Sequence, residues 1–226
     1  MARTKWLALS FDKSLSDIAT LLDRHKFSKD QIIGFELTNI QRNKVCGKFI
    51  EKIITTEVVI DPFGEEILNH VQRYSIFNFE ISPMEKYRFL VRIDTPPRSL
   101  KNFITTLSDS FGFGFAIEPL EIDILSMIQH LRKESGIKRW SIRKIRIARV
   151  AISEASLARI EVVSTKDAYL DLKNNIAIKD ATLERATIEL RNEENIHEIE
   201  LTSSGIISGD LDILDRLMPA LQTYFR

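Results

Sequence analysis

KFIEKIITTEVVIDPFGEEILNHVQRYSIFNFEI spans residues 48–81 and decides the fold class that the sequence predicts. Two stretches rich in β-branched and aromatic residues flank the segment DPFG at 61–64, in which proline takes the second position of a β-turn. In the second stretch Phe77, Phe79 and Ile81 alternate with polar residues, which is the period of a half-buried strand. We therefore predict a long antiparallel hairpin. Its arms are residues 48–60 and 65–81, and its turn is Asp61–Gly64.

Helical periodicity lies on both sides of this hairpin. Before it, Leu15, Ile18, Ala19 and Leu22 share one helical face, and Ser14 with Asp17 resembles a capping box. Four further helices are predicted after the hairpin. They are a helix from Thr95 to Gly112, a helix across residues 119–133, a short helix across residues 165–175, and a last helix that begins near Asp210 and is kinked at Pro219.

Strands and helices recur in a similar order in both halves of the chain. Runs of antiparallel strands followed by a helix indicate an α+β fold rather than alternating parallel units. No linker rich in Pro, Gly or Ser separates the halves. We predict two packed halves, each a curved antiparallel β-sheet with helices on one face. The predicted halves are residues 1–115 and 116–226, and a single closely packed domain is left open.

Charge is distributed unevenly along the chain. Lys and Arg together number 32, as do Asp and Glu, so the formal net charge is zero. Residues 132–149 nevertheless hold eight basic residues and one acidic residue, a local charge of +7. The segment GIKRWSIRKIRIARVAI (136–152) reads as a strand whose apolar positions change parity near Arg143 and again near Arg149. A bulge or bend at these points is the simplest explanation.

This concentration of positive charge indicates an anionic partner. We predict a non-catalytic nucleic-acid-binding or accessory subunit that contacts DNA or RNA, mainly through phosphates and without sequence preference. A basic strand (138–149) and a basic hairpin (42–52) would provide the contacts. The candidate residues are Lys138, Arg139, Arg143, Lys144, Arg146, Arg149, Arg42, Lys44, Lys48 and Lys52.

Two other interpretations of the basic strand and its surroundings remain open. The basic side chains could pair across the sheet with acidic residues of the C-terminal third. Those candidates are Glu184, Glu189, Glu198 and Glu200. Alternatively, the protein is an assembly subunit of a larger complex, bound to a protein partner or to a second copy. Its contact site would then be a phenylalanine loop (111–115) that presents Phe111, Phe113 and Phe115.

Catalytic and metal-binding motifs are not evident in the sequence. The four histidines form no local ligand pair, and neither a nucleophile elbow nor a phosphate loop is present. A metal-dependent nuclease, using carboxylates such as Glu161 and Asp171, is the third alternative. Asp171 and Lys173 lie on a predicted helix and would point in different directions. We therefore expect no enzymatic activity, no cofactor and no bound metal.

The cysteine content and the hydrophobic runs bear on the compartment. Cys46 is the only cysteine, so an intrachain disulfide is impossible. The first apolar run ends at Asp12, which is too short for the hydrophobic region of a signal peptide. No run approaches the ~18 apolar residues of a membrane span. The expectation is a cytoplasmic protein with no membrane partner.

Overall fold

A computed structural model describes residues 1–60, 62–175, 181–191 and 195–225. These residues form eleven strands and five α-helices, so the protein is α+β with antiparallel strand pairing. The strands are β1 (Ala2–Ser10), β2 (Ile33–Gln41), β3 (Lys44–Ile60), β4 (Glu66–Glu85), β5 (Arg88–Asp94), β6 (Ala116–Pro119), β7 (Arg139–Ser153), β8 (Ser156–Val163), β9 (Thr182–Arg191), β10 (Ile196–Thr202) and β11 (Ile206–Gly209). The helices are α1 (Leu15–Arg24), α2 (Lys101–Phe111), α3 (Ile124–Glu134), α4 (Ala168–Asn175) and α5 (Leu211–Tyr224).

The chain divides into two compact units. The N-terminal unit comprises residues 9–117, and the C-terminal unit comprises residues 1–8 together with 118–226. The first strand of the chain therefore contributes most of its residues to the C-terminal unit. The predicted division into residues 1–115 and 116–226 stays a prediction.

In the N-terminal unit the strand order is β2-β3-β4-β5. The predicted hairpin is confirmed, because β3 and β4 pair without interruption from Val45 opposite Ile81 to Ile60 opposite Glu66. Asp61, the first residue of the predicted turn, lies outside the described residues. Among the described residues, the base of this hairpin is buried by other elements, and its distal part is exposed.

An aromatic cluster forms the core of the N-terminal unit. The ring of Phe103 on α2 lies within 6.2 Å of four other phenylalanine rings, measured between centroids. Those four rings belong to Phe35, Phe49, Phe77 and Phe79. Helix α1 buries the face that its periodicity predicts, and the predicted capping box between Ser14 and Asp17 is confirmed. Helix α2 therefore holds the base of the β3–β4 hairpin against β2.

In the C-terminal unit the strand order is β1-β11-β10-β9-β7-β8. Ile142, Ile188 and Ile199 lie opposite one another across three neighbouring strands and are buried. Helices α3 and α5 pack together, and the imidazole Nε2 of His130 lies 3.0 Å from the carbonyl oxygen of Ala220. The basic strand β7 is an internal strand of this unit, between β8, which carries Glu161, and β9, which carries Glu189.

The structure corrects the start of two predicted helices and adds a strand. Helix α2 begins at Lys101 rather than after Thr95, because each proline of the Pro96–Pro97 pair disfavours the α-conformation of the residue before it. Helix α3 begins at Ile124, with the Asp123 carboxylate capping it, and not near residue 119. Residues Ile206–Gly209 form strand β11, which the sequence patterns did not indicate. Helix α5 continues through Pro219.

Candidate interaction surfaces

Strand β7 is bent where the change in apolar parity predicts it. Its pairing with β9 shifts register between Ile142 and Lys144, and its pairing with β8 shifts between Ile147 and Val150. The predicted bulges are therefore confirmed. Arg149 lies in the second bulge with φ of 61°, a left-handed conformation that non-glycine residues rarely adopt. The bulges separate the basic side chains of the strand into groups with different neighbours.

The central arginine of the basic strand is held by a carboxylate of β9. Arg143 donates two hydrogen bonds to Glu189, at 3.0 Å from Nε and 2.9 Å from Nη2, and a third to the carbonyl oxygen of Thr165. The side chains of Arg143 and Glu189 are only 24% and 16% exposed. Their hydrogen bonds raise the pKa of Arg143 and, with a contribution from Arg191, lower the pKa of Glu189. This arginine already has an anionic partner.

The next two basic residues share a carboxylate of β8. Lys144 Nζ lies 2.7 Å from Glu161 Oε1, and Arg146 Nη2 lies 3.0 Å from Glu161 Oε2. These two hydrogen bonds lower the pKa of the Glu161 carboxyl. Of the acidic residues considered as cross-strand partners, Glu189 binds Arg143, while Glu184 and Glu200 pair with other arginines. Three basic side chains of the strand therefore have carboxylate partners within the sheet, Glu189 and Glu161.

The ends of the basic strand differ from its centre. Lys138, Arg139 and Arg149 are exposed, and none of the three forms an ion pair with another residue in the described part of the chain. Arg139 lies directly opposite Arg191, an unfavourable pairing of like charges. Arg191 itself contacts Glu189. These three residues are the cations of the strand that remain accessible to another molecule.

The basic hairpin belongs to the N-terminal unit and is also partly neutralised. Arg42 lies exposed in the turn between β2 and β3. Lys44 lies 3.8 Å from the buried Glu80, and Lys48 lies 3.9 Å from Glu36. Lys52 is half-buried near the base of the hairpin. The predicted set therefore divides between two units, and within each unit only part of it is exposed and without an ion-pair partner among the described residues.

The phenylalanine loop has one exposed ring. Phe111 is buried and stacks on Phe11 with a centroid distance of 4.9 Å, and Phe115 contacts Phe111 edge-on at 5.2 Å. Phe113 is fully exposed between Gly112 and Gly114, whose φ angles are 72° and 84°. Two of the three predicted contact residues therefore pack against the unit, and Phe113 alone points to solvent.

The distal part of the β3–β4 hairpin is a surface that the sequence interpretation did not single out. We call it the ribbon and define it as residues 53–60 and 66–74, joined by the turn that contains Phe63. All of these residues are exposed except the half-buried Val71, and eight paired residues at ~3.4 Å each give a length of about 27 Å. Phe63, at the tip, is 91% exposed. The exposed apolar residues are Ile53, Ile54, Val58, Val59, Ile60, Phe63, Ile67 and Leu68.

Both faces of the ribbon are apolar near its tip. Val58 pairs with Leu68 on one face, and Val59 pairs with Ile67 on the other. Strands that are apolar on both faces are typical of sheets covered on both sides. The sequence contains this signal in the adjacent pairs Val58–Val59 and Ile67–Leu68, where the polar–apolar alternation of residues 77–81 is lost.

The acidic side chains of the described residues do not assemble into a metal site. No group of three or more His, Cys, Asp or Glu residues suited to a metal ion occurs in the part of the chain that the structure covers. Glu161 is bound by Lys144 and Arg146, and Asp171 accepts a hydrogen bond of 2.5 Å from the Ser164 hydroxyl. Within the same described ranges, the helices are too short or too polar to span a membrane.

Two comparisons, with models of protein families and with curated proteins, were made for this chain. No model of a known protein family matches the chain, and a search of curated proteins found no match either.

Proposed function

We propose that this protein is a non-catalytic assembly subunit that docks a protein partner on the ribbon. The observation that supports the proposal is the contrast within one hairpin. Phe49 and Phe77 at its base are buried, whereas Val58, Val59 and Ile67 further along the same two strands are exposed. A two-stranded hairpin is only marginally stable alone in water, and large exposed apolar patches commonly mark interaction sites.

The charge of the ribbon indicates the chemistry of its partner. Residues 53–76 contain four acidic residues and one basic residue, a formal charge of −3. Such a surface repels phosphate groups, which argues against insertion of the ribbon into a nucleic acid groove. The partner surface expected here is an apolar protein cleft with Lys and Arg residues at its rim. Exposed backbone edges of both strands could also pair with a strand of the partner.

Site-specific crosslinking in the native host tests this proposal. A photoreactive residue at position 59 should give one dominant protein adduct, whose mass distinguishes a second copy from a different protein. The same residue at position 157, where Leu157 is also exposed but lies in the C-terminal unit, is the matched control. A variant with Val58, Val59, Ile67 and Leu68 replaced by Thr should lose the interaction and keep its melting temperature. An adduct equally abundant at both positions, or none at position 59, would contradict the proposal.

The proposal also includes how the two halves are built and in which cellular compartment the protein works. We expect the two halves to pack together, each as a curved sheet with helices on one face. Because Cys46 is the sole cysteine, a reducing compartment such as the cytoplasm suits the assembly. Absence of enzymatic activity belongs here as well, since Glu161 and Asp171, the carboxylates considered for a nuclease, are occupied by ion pairs and by a hydrogen bond.

A second candidate function is nucleic-acid binding through the basic residues that have no ion-pair partner among the described residues. It is favoured by Lys138, Arg139 and Arg149, which could each contact a phosphate. Two matched triple variants separate this function from internal pairing. Replacing these three residues by Gln should reduce the log–log salt slope by roughly 2–2.7, or about 0.7–0.9 per lost contact. Replacing Arg143, Lys144 and Arg146 should instead lower the melting temperature and leave affinity unchanged. If the wild type does not bind DNA or RNA at low salt, this second function is wrong.

A further inference from the structure

A pocket beside the first residues of β7 is not used by the proposed assembly function. Its volume is about 440 Å³, and it is lined by Arg132, Gly136, Ile137, Lys138 and Trp140. All five residues belong to the C-terminal unit. The volume is in the range of small-molecule sites, about 300–1,000 Å³. The lining combines one aromatic ring, one apolar side chain and two cations.

The aromatic wall of the pocket is held in a defined position. The indole N–H of Trp140 donates a hydrogen bond of 2.8 Å to the carbonyl oxygen of Ile137. Ile137 is buried, so this acceptor is anchored in the core. Gly136, with φ of 68°, forms the turn between α3 and β7 that brings the helix end beside the tryptophan. A half-buried indole fixed in this way is suited to stack on a planar ring, as aromatic residues do with nucleobases.

The two cations of the pocket have no carboxylate partner among the described residues. Arg132 and Lys138 are both exposed and form no ion pair there, in contrast to Arg143 in the same strand. The helix macrodipole accounts for a cation in the last turn of α3, where Arg132 lies. It does not account for Lys138, which lies beyond the helix. Two accessible cations beside an aromatic ring match the two parts of a nucleotide, a planar base and an anionic phosphate.

We infer that this pocket binds one nucleotide unit, with the base against Trp140 and the phosphate paired with Arg132 and Lys138. A free mononucleotide and a residue of a single-stranded nucleic acid offer the same base and phosphate. The inference is independent of the ribbon, and for the second candidate function it specifies where a base is contacted.

Tryptophan fluorescence of the full chain provides the test. Trp6 is buried and gives a constant background, so a ligand in the pocket is reported by Trp140. Adenosine 5′-monophosphate should quench the signal in a saturable manner, and adenosine or inorganic phosphate alone should bind roughly tenfold or more weakly. The Arg132→Gln/Lys138→Gln variant should weaken binding by roughly tenfold or more, because hydrogen bonds to charged groups are the stronger class. Lys133→Gln, an equal change of charge on the adjacent residue outside the pocket lining, should leave binding unchanged.

A Trp140→Leu variant and a single-stranded oligonucleotide complete the test. Because Trp140→Leu removes the fluorescent reporter, nucleotide binding to this variant and to the wild type is compared by isothermal titration calorimetry. Loss of the ring should weaken nucleotide binding by roughly 5- to 150-fold, the range expected for one base–aromatic stack. Binding of the oligonucleotide but not of the mononucleotide, with the same sensitivity to Trp140→Leu, would identify the polymer as the source of the unit. Equal affinity for phosphate and mononucleotide, no effect of Arg132→Gln/Lys138→Gln, or no saturable binding of either the mononucleotide or the oligonucleotide would overturn the inference. If Gln at positions 138, 139 and 149 weakens oligonucleotide binding and Trp140→Leu does not, the inference about the pocket is wrong and the second candidate function stands.

Discussion

The ribbon and the basic strand β7 are both long strand segments, and their surroundings are opposite. In the basic strand many side chains are cationic. The central cations Arg143, Lys144 and Arg146 pair with Glu161 and Glu189 on the flanking strands. In the ribbon many side chains are apolar, as they are in a core strand. Within the described residues these apolar side chains are exposed, and no other element covers them. A charge cluster in the sequence therefore does not by itself show which charges are without a partner, because distant carboxylates can pair with them in the folded chain.

Hydrogen exchange should give the largest difference between these two regions. Amides of β7 at residues 144–147 lie between β8 and β9 and should exchange only through global unfolding. Ribbon amides can open locally, since each strand there has only one paired neighbour among the described residues. We expect ribbon protection to be lower by about 10³-fold or more, measured by mass spectrometry or NMR. Equal protection of the ribbon at high protein concentration, lost on dilution, would show that a second copy covers it.

Truncation of one isoleucine in each region should separate them next. Ile145 on β7 is fully buried, opposite Val162 and Ala186, so Ile145→Ala should lower the free energy of unfolding by about 2–5 kcal/mol. Ile54 in the ribbon is exposed, and Ile54→Ala should cost no more than about 1 kcal/mol. Urea unfolding of both variants measures the difference. A cost for Ile54→Ala as large as that for Ile145→Ala would mean that the ribbon is packed in solution.

The smallest expected difference concerns one ion pair in each region. Glu189 has a lowered pKa because Arg143 and Arg191 donate hydrogen bonds to it. Its contribution to stability is therefore complete above the pKa of an unfolded glutamate, about 4.3, and is lost as pH falls through its lower folded value. Glu189→Gln should lower the melting temperature at pH 7 by about 1–4 °C, and the gap from wild type should shrink below about pH 4.

The matched control for this ion pair is Glu57→Gln. Glu57 lies 3.7 Å from Arg73 on the ribbon, where both side chains are largely exposed to solvent and salt. We expect its melting temperature to stay within about 1 °C of wild type across the same pH range. If Glu57→Gln and Glu189→Gln behave alike in thermal melts between pH 3 and 7, the ion pairs of β7 are no more important than an exposed surface pair.

Local sequence patterns were sufficient for several elements of the fold. The long hairpin, the capping box of α1 and the bulges of β7 depend on residues close together in the chain, and all three are confirmed. The short strands β6 and β11 were missed, because each has four residues and is stabilised by pairing with a strand distant in sequence. Helix α2 starts later than its sequence pattern predicts, because Pro97 disfavours the α-conformation of Pro96.

By itself, the sequence determined the α+β class, the local charge of +7 and the turn and cap residues, since these follow from composition, periodicity and nearest-neighbour chemistry. Only the tertiary structure decided which charges and apolar faces are exposed. Glu189 reaches Arg143 across 46 residues of chain, and α2 covers the base of the β3–β4 hairpin while the ribbon extends past it. Exposure and ion pairing depend on which distant segments become neighbours, and local propensities do not specify those neighbours. The proposed nucleotide pocket could therefore be recognised only in the folded chain. The apolar pairs of the ribbon are visible in the sequence, but only the folded chain shows that they are exposed.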